Sequence, residues 1–371
     1  MSQSASLSSS PELQAALRRA GPGQVIGLDG LDTNAGRRLN LVVNDGGQSL
    51  LFSNDPESIT QPNRVLAREP SLPQGENRVF FHHQNGTHRP QRVALVARGG
   101  PGGSWVAVRR SGVGGPWSDP LVVGRRAFYR WLSDNQYYPA VRLAEGEVTI
   151  LDPSLATLTV DQGQTIGGII DIGVFPGTPV EVAVVACDPE VPMEKAYPSL
   201  LAHPRSGNEF VRGTAKACDR LLDMANDGIH DAAYDTSWGV AYYRAGDGVV
   251  DPFLAVADRL TPSGDPQPLA GNFGLLYRFH LWLTGSDGQA VALLVNPCGT
   301  DYGGAIKVAP GLDGGGDVYL PWSPDSIRDP FQAVLAGRYL PRAGVSLWFQ
   351  FMIPGGSNAP INLVLVPYHP A

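Results

Sequence analysis

A chain of 371 residues, 43% hydrophobic and only 17% charged, holds enough apolar material for sizeable cores, and its length suggests two domains or one large β domain with extensions. Its net charge of -7, with Lys195, Lys216 and Lys307 the sole lysines among 28 basic residues, argues against a nucleic-acid partner, which would need a basic patch. No run of 18 apolar residues is present to form a membrane span, and the 45 Gly and 32 Pro are scattered, as in a turn-rich all-β fold.

Residues 1–10 form a Ser-rich tail with neither the basic nor the apolar region of a secretion leader. Ser10-Pro11-Glu12 then opens a short helix: a capping Ser, Pro at the first turn and an acid near the positive helix end. Leu13, Ala16, Leu17 and Ala20 give it one apolar face, and Gly21 stops it. Such a helix is expected to pack across a sheet edge or end, or in a polymer to dock on a neighbour.

Residues 38–44 and 48–52, around Asp45-Gly46-Gly47, predict a first hairpin. The centre of the reading is 78–97, where two β-rich runs flank Asn85-Gly86, a dipeptide that tolerates the positive φ of a type I′ turn. Residues 275–283 and 290–295 echo it around the turn 284–288, so the chain reads as two β modules, each arranged around one hairpin. Further strands are predicted at 105–109, 147–151, 156–160, 166–172, 180–187, 237–244, 305–309, 317–322, 332–340, 345–353 and 361–366. Residues 114–120 read as a loop; 127–132 and 218–225 fit either helix or strand. Pro189, Pro192, Pro198 and Pro204 mark a boundary. The expected fold class is all-β: two antiparallel β-sandwich (jelly-roll-like) modules with a short N-terminal helix. The expected division is 1–36 for tail and helix, 37–190 for module 1, 191–210 for a linker and 211–371 for module 2.

Chemistry-bearing patterns are sparse. In a two-residue turn at Asn85-Gly86, His83 would pair with His88 across the strands, close enough to share a metal such as zinc, while His82 would point to the other face. A polar hairpin tip is the simpler reading. Asp219, Asp223, Asp227, Asp231 and Asp235 recur every four residues without the alternation of a calcium loop, so a solvated face or loop stands beside weak calcium binding. The Gly-rich runs 99–103, 111–115 and 313–316 lack a Walker ending and read as turns. No local catalytic motif is present, and a triad assembled in space would draw on His230 or His280. Cys187, Cys218 and Cys298 have no metal spacing and read as free thiols, with one disulfide as the alternative. Trp105, Trp282 and Trp348 lie in apolar strands and are expected in the core. Trp117, Trp322, Tyr137 and Tyr138 lie in loops, where exposed rings could stack on sugar or pack against another subunit.

Five segments carry a resemblance: Arg78-Val-Phe-Phe-His-His-Gln-Asn-Gly-Thr87, Val123-Gly-Arg-Arg-Ala-Phe-Tyr129, Gly271-Asn-Phe-Gly-Leu-Leu-Tyr-Arg278, Gly303-Gly-Ala-Ile-Lys-Val308 and Pro354-Gly-Gly-Ser-Asn-Ala-Pro-Ile-Asn-Leu-Val-Leu-Val-Pro367. Over roughly 37–371 the chain resembles β-rich surface or secreted proteins of spore-forming Gram-positive bacteria, which often carry a copper-amine-oxidase N-terminal-like stalk domain. The stalk and a leader are missing here, and so are the Asn-Tyr-Asp/Glu and His-x-His patterns of the oxidase itself. The resemblance implies an extracellular or cell- or spore-surface location, with a cytoplasmic one as the alternative, and supplies no catalytic residues to carry over. The functional expectation is a non-enzymatic structural protein, homo-oligomeric and self-assembling, with no cofactor. A carbohydrate-binding module protein, with polysaccharide as its partner, is the alternative, and a hydrolase is the third reading.

Overall fold

The computed structural model describes residues 9–177, 179–207, 210–261, 265–286, 288–324, 326–341 and 344–370. The fold is all-β. Helix α1 (Pro11–Arg19) forms as its caps dictate, with Ser10 Oγ accepting from Leu13 N at 3.1 Å, and it buries Leu13 and Leu17. After it come β1 (Val25–Gly27), β2 (Arg37–Arg38), β3 (Val42–Gly46), β4 (Leu50–Ser53), β5 (Ser58–Ile59), β6 (Arg64–Leu72), β7 (Gly75–Asn85), β8 (Arg92–Gly99) and β9 (Ser104–Trp117). Helix α2 (Pro120–Ser133) interrupts the strands before β10 (Val141–Leu143) and β11 (Val148–Ile150). Helix α3 (Pro153–Thr157), β12 (Thr165–Val174), β13 (Val180–Cys187), helix α4 (Met193–Ala196), β14 (Leu201–Ala202), β15 (Arg212–Ala215), β16 (Asp219–Asp223), β17 (Tyr234–Asp235) and β18 (Ala241–Ala245) follow. The chain closes with β19 (Ala255–Val256), β20 (Gln267–Pro268), β21 (Leu276–Thr284), β22 (Ala290–Asn296), β23 (Gly304–Gly311), β24 (Gly314–Leu320), β25 (Gln332–Tyr339), β26 (Val345–Phe351) and β27 (Ile361–Tyr368).

Two pairs of sheets hold these strands, apart from β19 and β20, which form a two-stranded sheet of their own. In module 1, β10-β9-β12-β7-β4-β15 and β11-β8-β13-β6-β14 share a core that includes Val79, Phe81, Leu95, Ile170 and Val184. In module 2, β24-β23-β26-β21-β16-β3 and β1-β25-β22-β27-β18-β2 share one that includes Phe279, Leu293, Leu347, Phe349 and Leu365. Set side by side, the two modules have the same strand order: β10-β9-β12-β7-β4-β15 corresponds to β24-β23-β26-β21-β16-β3, and β11-β8-β13-β6-β14 to β25-β22-β27-β18-β2. Even the parallel pairs coincide: β4 with β7 matches β16 with β21, β5 with β7 matches β17 with β21, and β14 with β6 matches β2 with β18. The sheets are therefore mixed, not antiparallel throughout.

The echo between 78–97 and 275–295 is thus an echo of topology, but neither stretch is a hairpin. Strand β7 pairs with β12 and β4, whereas β8 pairs with β13 and β11 in the facing sheet; β21 and β22 part in the same way. The reason is burial. Strand β8 is apolar along most of its length and β22 is buried at every position, so each belongs inside a sheet with a partner on both sides, β13 and the short β11 for β8, β27 and β25 for β22. At the corner after β7, Asn85 turns the chain with its side chain, donating to Val160 O at 2.8 Å and accepting from Thr87 N at 2.9 Å. Gly86 is outside the left-handed region there. A tight hairpin does form between β23 and β24.

The expected hairpin over 38–52 is corrected as well, because its arms enter different modules. Strand β3 pairs with β16 from Val42↔Asp223 to Gly46↔Asp219, and β4 pairs with β15 from Leu50↔Ala215 to Ser53↔Arg212. The register is unbroken, so 42–53 and 212–223 form one antiparallel ribbon shared by both modules. The expected cut at 191–210 does not separate the sheets: β2 and β3 lie in module 2, while β14 and β15 lie in module 1. Each module completes the other. Arg78 locks this junction, with Asp171 at 2.7 Å, Asp219 at 3.0 Å and Cys218 O at 2.6 Å, and Asp219 also binds Arg278 of module 2 at 2.8 Å.

Helix α1 covers a face, not an edge: Leu13 and Leu17 pack with Ala292, Leu294, Leu335 and Val364. Residues 127–132 belong to α2, which starts where Asp119 accepts from Leu121 N at 2.9 Å ahead of Pro120. The helix wedges between β9 and β12 on one side and β23 and β24 on the other, with Phe128 and Trp131 fully buried. Glycines in β9 permit this close approach. A Cβ on Gly112 would lie 2.1 Å from Ala127 O, and one on Gly114 2.0 Å from Val123 O. The predicted strand at 156–160 does not form: Ala156 and Thr157 end α3, and only Val160 makes a single bridge, to Gln91. Among the described residues no helix is long and apolar enough to cross a membrane.

Candidate functional site

The end of α2 sets one wall of a cavity of about 570 Å³, open to solvent and lined by Ser111, Tyr129, Asp134, Tyr138, Asp152 and their neighbours. Asp134 caps the helix C-terminus. Its Oδ2 accepts from Ser111 N at 2.7 Å and Tyr138 OH at 3.1 Å, and its Oδ1 from Gln136 N at 3.0 Å. Asp152 caps α3, accepting at Oδ1 from Ser154 N at 2.8 Å and Ser154 Oγ at 2.6 Å, while its Oδ2 takes the Ser111 hydroxyl. Ser111 therefore bridges two carboxylates, each held by several donors. Burial, with the Asp134 charge second, pushes the Tyr138 phenol up to about 12, so it remains an O–H donor at neutral pH.

Aromatic rings extend from the cavity. Tyr129 of α2 stacks on Tyr319 of β24 with ring centroids 3.6 Å apart and planes within 14°. Tyr319 meets Trp322 edge-on at 6.4 Å, and Trp322 is 70% exposed. The Arg125 guanidinium lies over Tyr319 at 5.2 Å, which fixes the middle ring from α2. The arrangement sets an exposed Trp322 and a half-buried Tyr pair beside carboxylate, hydroxyl and amide groups, a combination that can recognise a sugar by packing on its C–H face and hydrogen bonds to its hydroxyls.

Of the four aromatics singled out from the sequence, Tyr138 lines the cavity and Trp322 joins it through Tyr319 and Tyr129. Tyr137 is exposed beside Tyr138. Trp117 lies at the end of β9 under Arg126, 3.6 Å from its guanidinium carbon. Sequence reasoning missed Ser111, Tyr129, Asp134, Asp152 and Tyr319. The usable signal was Asp119-Pro120, a helix start that would have placed Tyr129 and Asp134 on and just after α2.

His83 and His88 are not brought together. With β7 and β8 in opposite sheets, His83 is buried, its Nδ1–H donating to Pro56 O at 2.7 Å and its Nε2 accepting from Ser53 Oγ at 2.8 Å. His88 is exposed in the connection, 3.3 Å from Gln162. His82 does point to the opposite side and donates to Pro120 O at 3.1 Å. Burial lowers His82 to about 4 and His83 to about 3, so both are neutral at physiological pH. Among the described residues no group of three or more His, Cys, Asp or Glu is placed to hold a metal ion.

The five acids at 219–235 have separate duties. Asp219 joins the Arg78 junction, Asp223 meets His280, Asp227 holds His230, Asp231 pairs with Arg37 at 2.8 Å, and Asp235 caps the turn at Ser237. The three cysteines are free thiols. His280 meets both Asp223, at 3.3 Å through Nδ1, and Ser346, at 2.9 Å through Nε2, the order seen in serine hydrolases. It lies on an open sheet face, however, with Ser346 inside a regular strand rather than on a turn in a pocket. Trp105, Trp282 and Trp348, expected in the core, are exposed. In β21 and β26 the alternate positions Leu281, Leu283, Leu347 and Phe349 fill the core, leaving the Trp parity outside. No family model and no curated protein matches this chain.

Proposed function

We propose that the protein is a non-enzymatic carbohydrate-binding protein of the cell surface, built from two jelly-roll modules. For the modules, support comes from the passage of successive strands between facing sheets: β6, β8, β11 and β13 on one side and β7, β9, β10 and β12 on the other, repeated by β18, β22, β25 and β27 against β21, β23, β24 and β26. For the function, one observation carries the reading: the row Trp322–Tyr319–Tyr129 ends at a cavity where Tyr138, Asp134 and Asp152 offer hydrogen bonds. Both carboxylates are engaged by backbone and hydroxyl donors, which suits binding better than proton transfer.

Titration of a broad glycan panel, followed by Trp fluorescence, tests this. Binding should shift the emission of the exposed Trp322, and Tyr129→Ala should weaken affinity roughly tenfold, the value of one stacked ring. A flat response to every glycan would end the reading. A second reading, a structural protein that assembles with copies of itself, rests on β24, a seven-residue strand at the edge of its sheet. Light scattering that gives monomer at every concentration would remove it.

A further inference from the structure

We propose that the ligand is a neutral polysaccharide with flat sugar faces, and that it leaves the α2 cavity to cross the outer face of β24, β23, β26 and β21. This rests on the carbohydrate-binding reading above and names its ligand class. The strand registers put Tyr319, Asp317, Lys307, Gln350, Trp348 and Trp282 on that one face. Tyr319 pairs with Ala305 and Asp317 with Lys307; Lys307 pairs with Gln350, His280 with Trp348, and Trp282 with Ser346. The neighbouring residues Ile306, Leu281, Leu347 and Phe349 point the other way, into the core.

Tyr319 and Trp348 are separated by two strand spacings and about four residues along the strands, roughly 17 Å in all, and Trp282 lies one strand and two residues further on the same diagonal. A short oligosaccharide in the cavity would not reach these rings, whereas a chain would. The platform is held in place before any ligand arrives. His280 stacks on Trp348 with centroids 3.8 Å apart and planes within 8°, and Asp223 and Ser346 fix the imidazole from both nitrogens. Trp348 is nonetheless 53% exposed and Trp282 44%. Large planar side chains presented to solvent and braced from within the sheet match a flat ligand face.

The charges along the track specify neutrality. Lys307 is matched by Asp317 at 3.5 Å and Arg278 by Asp219 at 2.8 Å, so these two cations already have carboxylate partners, while Arg125, over Tyr319, donates to Pro321 O at 2.9 Å. The cavity itself presents Asp134 and Asp152, and its one lining cation, Arg130, donates to Val113 O at 2.6 Å. An acidic polymer would meet these carboxylates unfavourably, while the hydroxyls of a neutral one can hydrogen-bond to Gln350, Lys307 and Asp317.

The full chain is titrated with cellobiose, cellohexaose, hydroxyethyl cellulose and polygalacturonate, and compared with the double variant Trp282→Ala/Trp348→Ala, whose folding is checked by circular dichroism and Tm. The expected result is affinity that rises with chain length for the neutral series, little or no binding of polygalacturonate, and a loss of at least tenfold for hydroxyethyl cellulose in the double variant. Wild-type binding that the double variant retains in full overturns the track while leaving the cavity reading intact. So does equal affinity for cellobiose and the polymer. Preference for polygalacturonate overturns the assignment of neutrality. Failure of the wild-type chain to bind any carbohydrate, in this set or in the wider panel, removes the cavity reading and the track together.

Discussion

The two modules share a strand order, yet they treat their outer faces in opposite ways. In module 1 the connection from β9 to β10 carries α2, and the face beneath the helix has Gly112, Gly114 and Gly167 at the close approach, with Ile169 and Phe80 packed against Phe128 and Trp131. In module 2 the corresponding connection, from β23 to β24, is a tight turn, and the corresponding face carries Trp348, His280 and Trp282. Glycines at the crossing let a helix backbone approach to contact; a face of large planar rings stays open as a platform. The same framework thus yields a wall and a floor, and the candidate site lies where α2 meets the β23–β24 edge.

The difference extends to the shared junction and can be probed there first. Arg78, with a side chain only 3% exposed, faces two carboxylates, whereas Arg278 on the module 2 side is 38% exposed. Arg78→Met leaves Asp171 and Asp219 without their buried partner and should cost about 3–5 kcal/mol in urea unfolding. Arg278→Met should cost at most about 1 kcal/mol. Equal losses would show that the junction is not anchored from module 1.

A smaller effect is expected at the helix seat. Gly114→Ala forces α2 away from β9 and should destabilise by about 1–3 kcal/mol, with a change in the environment of buried Trp131. Trp348→Ala, on the open face of module 2, should stay within about 0.5 kcal/mol of wild type. Denaturant midpoints with Trp emission check both.

An effect of similar size is a dependence on pH that belongs to module 1. His82 and His83 have folded pKa values of about 4 and about 3, below the ordinary imidazole value, because burial disfavours the charged ring. The unfolded chain therefore takes up protons first as pH falls. The histidine contribution is fully present above about pH 6.5 and is lost as pH drops toward 4. Between pH 6 and pH 5 each histidine should remove about 1 kcal/mol, and His82→Gln should flatten the curve of Tm against pH. A Tm that rises on acidification over this range would contradict the burial of both rings.

Some of this was readable in the chain before any folding. The helix at Ser10-Pro11-Glu12 and individual strands such as Val180–Cys187 follow from caps and apolar alternation, which act over a few residues. So did the repetition of module 1 in module 2, visible as an echo between two apolar stretches. The choice of partner strand was not legible. Asn85-Gly86 has the composition of a hairpin turn, but burying β7 and β8 in facing sheets satisfies more apolar surface than pairing them would. Nor could local pattern show that 42–53 runs against 212–223, or that Tyr129 stacks on Tyr319 and Ser111 bridges to Asp152. Sequence neighbours decide what a segment can become. Which segments meet, and so which side chains form a site, is decided by the competition for burial across the whole chain.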